Sequence, residues 1–280
     1  YLLKKKPDLI IIGYLSKFHF ILLFLSRFFK NLYFWKELPT PENNFLKRKI
    51  KNLFYKLFFN NAKGIFCIGK KALIYYKNIN NNCHYLPYSV KDYKKNKKRV
   101  FKKINFIFIG QLIKRKSVKE IIFAFNKLSK KIDKINLTII GSGYLGNFCE
   151  KASKYNKKVK FYGFQDQIFI KKKLYNSHIL LQPSKYDGWS VVVSQGFNAG
   201  LAIIGTNQTN CIYDYVIHKK NGYVCKADKD SIYKSMLYYI KNIIALNKHM
   251  NINRRVFENS MMNTAISVKK IEKILKKHSF

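Results

Sequence analysis

Short apolar runs bounded by turn-forming residues recur along the chain, and between them lie longer stretches in which apolar residues return every three or four positions. The first pattern predicts buried strands and the second predicts amphipathic helices. In the opening ninety residues this gives a strand at 8–12, an apolar helix at 15–29, a strand at 32–35, a basic helix at 45–60, a strand at 64–68, and a further helix leading to a strand at 83–86. The polar charge run KDYKKNKKR at 91–99 interrupts the alternation and reads as the centre of a linker over 91–103. Strands then follow at 104–110, 137–141, 159–161, 179–181, 202–204 and 223–225, with helices at 118–130, 145–155 and 168–175, and a basic helical region from 231 to the end. Repeated alternation of this kind implies α/β architecture with parallel sheets covered on both faces.

The stretch YDGWSVVVSQGFNAG at 186–200 stands out within this pattern. It follows the apolar run Ile179-Leu180-Leu181, opens with turn formers and continues as an amphipathic segment, so it reads as strand, loop, helix. Open parallel sheets hold ligands beyond the carboxyl ends of their strands, where the start of a helix directs free N–H groups at anions. The loop Asp187-Gly188-Trp189-Ser190 is therefore a candidate phosphate cradle. Asp187 at the helix mouth and Gln195 two turns in are spaced to face one pocket; equally, Asp187 caps the helix and Gln195 is a polar spoke. In FIGQLIKRKS at 108–117, Lys114, Arg115 and Lys116 lie beyond a strand end and suit a diphosphate, or form a solvated loop. The Gly-x-Gly at 141–143 is weak evidence, because turns need glycine anyway. Asp228 and Asp230 have the spacing of a metal-binding pair, but their place before a helix favours capping.

Composition narrows the class. With 48% hydrophobic and 16% aromatic residues the chain of 280 fills a core and is not disordered. The formal net charge of +41 points to nucleic acid, an anionic membrane or phosphorylated ligands as partners. Of the 55 basic residues only six are Arg (27, 48, 99, 115, 254, 255), although Arg is the usual fork for phosphate. Spread over every helix, the lysines reflect biased coding together with a membrane surface more than a nucleic-acid patch. The run at 18–25 is flanked and broken by Lys17, His19, Arg27 and Lys30, well short of the ~20 apolar residues that span a bilayer. Five cysteines (67, 83, 149, 211, 225) show no CxxC pair, which indicates reduced thiols in a cytoplasmic setting, with neither zinc nor disulfides. No metal spacing is seen among the histidines, and His178 reads as structural. The chain begins at Tyr1 rather than Met, so a fragment with its start missing is expected.

Five segments in order, FIGQLIKRKS, LTIIGSGYLGN, VKFYGFQDQ, LLQPSKYDGWSVVVSQGFNAGLAII and NGYVC, resemble glycosyltransferase family 4, the group 1 glycosyltransferases of the GT-B fold. Earlier, KPDLIII, YFWKELPTP, AKGIFCIGKKA and YLPYSV are similar to the later part of that family's first domain. The resemblance implies two Rossmann-like domains: a partial acceptor-side domain at 1–90, a nucleotide-sugar domain at 104–245, and helices at 246–280 returning to the first domain. It implies a retaining, metal-independent sugar transfer from a UDP- or GDP-linked donor to a glycan or lipid-linked acceptor in surface polysaccharide or glycolipid assembly. No cofactor and no nucleic acid are expected, and the chain is expected in the cytoplasm or on the inner face of the membrane. Asp187 and Lys116 take the catalytic places. Donor binding falls to Gln111, Arg115, Gly163, Phe164, Gly188, Trp189, Ser190, Val191 and Gln195, and Glu37 stands where the family often has a histidine beside the sugar. Gln111 replaces the family's usual arginine and Gln195 its second carboxylate. Two other classes stay open: a non-catalytic nucleotide-sugar-binding relic and a basic nucleic-acid-binding protein.

Overall fold

The computed structural model describes residues 10–13, 32–40, 44–60, 62–93 and 102–276. The first two residues of the strand expected at 8–12, the whole helix expected at 15–29, and residues 94–101 of the expected linker lie outside the described residues. Two compact units divide the chain, Tyr1–Tyr88 and Ser89–Phe280.

In the first unit the elements are β1 (Ile10–Ile12), β2 (Leu32–Glu37), α1 (Phe45–Asn60), β3 (Gly64–Ile68), α2 (Lys70–Lys77) and β4 (Cys83–Tyr85). The four strands form one parallel sheet in the order β1-β2-β3-β4. All five residues of β3 are buried, as a strand covered on both faces requires. Phe34, Phe59, Ile65, Cys67, Ala72 and Tyr76 form the core beneath the two helices. Asn80, itself buried, donates to Phe59 O and Ala62 O at 2.7 and 3.0 Å, which ties the end of α1 to the end of α2.

The second unit carries β5 (Ile104–Ile109), α3 (Val118–Ser129), β6 (Ile135–Ile140), α4 (Gly146–Tyr155), β7 (Val159–Phe161), α5 (Gln167–Tyr175), β8 (Ile179–Gln182), α6 (Val191–Asn198), β9 (Ala202–Gly205), α7 (Asn210–Tyr215), β10 (Gly222–Val224), α8 (Lys229–Lys241), α9 (Ile243–Glu258) and α10 (Thr264–Lys276). Its six strands are parallel in the order β10-β9-β8-β5-β6-β7. Helix α3 buries Val118, Ile121, Ile122, Phe125 and Leu128, one stripe at helical spacing, against Phe106 and Leu137 of the sheet. Helix α8 does the same with Ile232, Met236 and Tyr239, and it packs along α3.

The basic region from 231 is helical as expected, and the structure resolves it into three helices with breaks at Asn242 and across 259–263. The sequence pattern missed two features. The short helix α7 was not foreseen, because its six residues are too few to show a period. Residues 114–116 form a turn of 3₁₀ helix rather than open loop.

Candidate functional site

Strand order in the second sheet reverses between β5 and β8. The chain runs outward from β5 through β6 to β7, then crosses to the other side of β5 and runs outward through β8 and β9 to β10. The crossovers that leave β5 and β8 therefore lead to opposite sides of the reversal, and the crevice beyond the carboxyl ends of strands at such a reversal is where open parallel sheets hold ligands.

The loop after β5 is pinned by Leu112, which is fully buried. Its N–H donates to Ser142 O at 2.7 Å and its carbonyl accepts from Leu145 N at 2.9 Å, so it lies backbone to backbone against the loop after β6. That approach needs glycine. A Cβ on Gly141, at φ +143°, would lie 1.9 Å from Gly110 O, and one on Gly143, at φ +148°, would lie 2.6 Å from Leu112 O. The Gly-x-Gly at 141–143 thus serves loop packing. Beyond Leu112 come the 3₁₀ turn Lys114–Lys116 and Ser117, which is left-handed at φ 55° and starts α3.

The loop after β8 lies against this turn. Lys185 N donates to Arg115 O at 2.8 Å. An Arg115 guanidinium nitrogen donates to Tyr186 O, and Lys116 Nζ donates to Asp187 Oδ2. Three successive residues of one loop are thereby matched to the other. Lys116 and Asp187 are each only 9% exposed, so both charges are largely withdrawn from water and neutralise one another. The Asp187 backbone is fixed as well, donating to Gln208 O at 3.0 Å and accepting from Asn210 N at 3.2 Å.

The capping alternative for Asp187 is overturned. The residue at the N-cap of α6 is Ser190, left-handed at φ 65° and without a side-chain capping bond, while the Asp187 carboxylate is taken by Lys116. The first N–H groups of α6 have no partner inside the helix. Among the described residues only Ser117, Ser190 and Lys219 are non-glycine residues with positive φ, and two of the three lie in the loops flanking the crevice. Such backbone costs on the order of 1–3 kcal/mol and persists where the surroundings enforce it.

The remaining candidates take varied positions. Gly188 is buried beside Asp187. Trp189 turns its indole into the core, with Nε1 donating to Ser194 Oγ at 3.3 Å and the ring edge-on to Tyr215, so only its backbone faces outward chemistry. Val191 opens α6 and is 39% exposed. Gln195 lies little more than one turn into α6 rather than two, and its Nε2 donates to Gln167 Oε1 at 3.0 Å at the start of α5. Gln111 is exposed at the end of β5. Gly163, at φ +62°, accepts from Gly141 N at 2.7 Å, and Phe164 beside it is 80% exposed. Glu37 ends β2 in the first unit, where its carbonyl accepts from the Tyr76 hydroxyl at 3.1 Å. The structure therefore joins Lys116 to Asp187 directly, holds Arg115 on the neighbouring Tyr186 carbonyl, and pairs Gln195 with Gln167.

Sequence reasoning passed over four buried polar side chains at these strand ends. Ser117 Oγ, Gln182 Oε1, Ser184 Oγ and Thr209 Oγ1 have no hydrogen-bond partner, although Gln182 Nε2 donates to Ile109 O at 2.7 Å and so ties β8 to β5. Serine and threonine beside a strand end are so common that nothing in the sequence marks them. Asp228 caps α8, accepting from Ser231 N at 2.7 Å, and Asp230 approaches Lys127 at 3.6 Å. Among the described residues no group of three or more His, Cys, Asp or Glu converges on a metal position. Buried His178 accepts from Asn105 N at 3.0 Å, a structural use. A basic recess of about 720 Å³ lined by Lys185, His218, Tyr223, Lys226 and Lys234 lies past β9 and β10, and neither Lys116 nor Asp187 lines it.

Comparison with known proteins places this geometry in context. The family model described as Glycosyl transferases group 1 matches residues 89–257. No curated protein sequence matches the chain. Among solved structures, a mutant of TarM from S. aureus in complex with Fondaparinux, alpha-GlcNAc-glycerol and UDP superposes with a TM-score of 0.78 at 16% identity, covering 98% of this chain and 57% of that one. The chain thus spans little more than half the length of TarM. Anabaena Alr3699/HepE in complex with UDP and glucose gives 0.75 at 10% identity, over 95% of this chain and 78% of that one. Sucrose-phosphate synthase from Thermosynechococcus elongatus gives 0.79 at 12% identity, over 99% and 75%. At these identities the likeness is one of fold.

Proposed function

The chain belongs to the group 1 glycosyl transferases and has their GT-B type of Rossmann-like, parallel-sheet units, and from that premise we propose that it moves a sugar from a nucleoside-diphosphate donor to a glycan or lipid-linked acceptor with retention of configuration. The observation that carries this reading is the buried Lys116–Asp187 pair, set at the reversal of strand order and beside the left-handed start of α6.

The chemistry follows from the donor and acceptor capacity of the pair. An ammonium has three protons, and Lys116 commits one to Asp187; the others are available to a diphosphate. An ionised carboxylate only accepts, so Asp187 Oδ1 is left for a sugar hydroxyl while Oδ2 holds Lys116 in place. When the bond from the anomeric carbon to the diphosphate breaks, its electron pair goes to the phosphate oxygen. Lys116, the neighbouring Arg115 and the free amides at Ser190 and Val191 stabilise that charge without any metal being required. The acceptor hydroxyl oxygen then bonds to the carbon from the face the diphosphate leaves, and its proton passes to the departing phosphate oxygen. Gly163 and Phe164 hold the base through the backbone, Gln111 lies near the diphosphate, and Gln195 reaches the ribose.

TarM and Alr3699/HepE carry UDP in their structures, which makes UDP-linked sugars the first donors to try here. Incubation with a radiolabelled UDP-sugar, followed by separation of products and determination of the anomer formed, tests the proposal. Label transferred with retained configuration, and lost in Asp187→Asn, is expected; an inverted product contradicts it. A second reading, nucleotide-sugar binding without transfer, is favoured by Gln111 and Gln195, which by the family resemblance take the places of an arginine and a second carboxylate. Donor binding by calorimetry with neither transfer nor hydrolysis of the label would establish that second reading instead.

A further inference from the structure

Helix α1 has an apolar strip on the side turned away from its own core. Its inward side is set by Phe59, which is buried against Phe34 and Tyr76 at ring-centroid distances of 4.8 and 5.3 Å, and by half-buried Tyr55. Asn52 steadies the same side by accepting from the Tyr75 hydroxyl of α2 at 2.9 Å. At ~100° per residue, Leu46, Ile50, Leu53 and Leu57 fall within a strip roughly 60° wide on the opposite side. Their exposures are 66%, 48%, 60% and 60%, and Phe45 beside them is 60% exposed. Apolar strips on soluble helices normally face a core, so one facing water marks a surface that meets something else.

The charge pattern of the helix says what that is. Its sequence, FLKRKIKNLFYKLFFN, contains five basic residues and no acid. Exposed Lys47 lies on one flank of the strip, with Lys49 and Lys56 on the other. Spacing of four, three and four residues also suits the seam of a helix pair, but a second copy would bring these lysines opposite one another, with no carboxylate on α1 to offset them. A bilayer with anionic headgroups offers hydrocarbon to the strip and negative charge to its flanks. At 16 residues the helix is too short to cross, and among the described residues no helix is long and apolar enough to span a membrane.

We infer that α1 is an interfacial helix that docks the protein on an anionic lipid surface, with Leu46, Ile50, Leu53 and Leu57 inserted and Lys47, Lys49 and Lys56 at the headgroups. The inference does not depend on sugar transfer. The whole 280-residue chain is sedimented with vesicles of phosphatidylglycerol and phosphatidylcholine, or of phosphatidylcholine alone, over a range of salt, for the wild type, Leu53→Glu/Leu57→Glu and Lys49→Glu/Lys56→Glu. The side chains changed are exposed, and unfolding midpoints check that each variant folds. The wild type is expected to bind the anionic vesicles, to release as salt rises and to bind neutral vesicles far less. The leucine variant should bind roughly tenfold more weakly and the lysine variant several-fold more weakly. If the leucine variant has a lowered unfolding midpoint, the lysine variant decides. No wild-type binding, equal binding to neutral vesicles, or unchanged binding in the deciding variant overturns the inference. So does a concentration-dependent dimer in analytical ultracentrifugation that Leu53→Glu/Leu57→Glu abolishes, because the strip would then belong to a second copy.

Discussion

At the scale of single residues, the account turns on two charges that neutralise each other out of water. Lys116 and Asp187 are 71 positions apart, and each is nearly buried. Removing one member strands the other, a cost of about 3–5 kcal/mol for a well-buried pair, whereas replacing both with apolar groups of similar size is far less harmful. Asp187→Asn should therefore lower stability in urea by about 3 kcal/mol, and Lys116→Met/Asp187→Leu should recover much of the loss; equal losses in the single and double variants would show that the pair is not coupled. Gln195→Glu provides a second test. An amide offers one acceptor oxygen where a carboxylate offers two, so the change is expected to tighten nucleotide binding by about 1 kcal/mol, while a nucleotide lacking the ribose hydroxyls gains little. Equal gains for both nucleotides would remove Gln195 from the ribose. Either residue of the Lys116–Asp187 pair could be picked out from its motif, but the pairing itself could not, because a contact across 71 residues leaves no local signal. The side chains of Ser117 and Ser190 were visible too, yet nothing in a serine announces a left-handed backbone.

At the scale of elements, the periodic segments were legible and the joints between them were not. Strands β3, β5 and β8 and helices α3 and α5 follow directly from apolar spacing. How the segment after Tyr88 is fastened does not. Arg254 on α9 donates to both Asp92 carboxylate oxygens at 2.8 and 3.0 Å, to Asn198 O and Oδ1 at 2.8 Å, and to Glu258 at 2.9 Å, while Asn198 Nδ2 donates to Lys91 O at 2.8 Å. One guanidinium thus joins residues 91–92, the end of α6 and α9. From sequence, Arg254 was one of 55 basic residues with nothing to single it out. Arg254→Ala should cost about 3 kcal/mol, and Arg254→Lys should recover little of it, because an ammonium cannot serve three directions with a planar fork. Full recovery by lysine, measured by urea unfolding, would mean that only the charge matters.

At the scale of the whole molecule, stability should fall in mild acid. His249 is largely withdrawn from solvent, with Nε2–H donating to Lys219 O at 3.1 Å and Nδ1 accepting from the Tyr239 hydroxyl at 2.8 Å. Burial, with Lys248 nearby, holds its pKa below the usual histidine range, although the Lys219 carbonyl pulls the other way. The unfolded chain then binds more protons than the folded one as pH falls past about 6.5. Stability is therefore full above that value and is lost as pH drops toward the folded pKa. The melting temperature should decline between about pH 7 and pH 5, less steeply in His249→Asn; parallel profiles would assign the decline to other groups. The central claim concerns the crevice between β5 and β8, and calorimetric titration of the full chain with UDP in the presence of a metal chelator tests it most directly. Charge-assisted hydrogen bonds contribute roughly 1.5–3 kcal/mol each. The account predicts that UDP binds without a metal and that Lys116→Ala weakens binding by about tenfold or more. Unchanged affinity in Lys116→Ala, or binding that appears only when Mn²⁺ is restored, would contradict it.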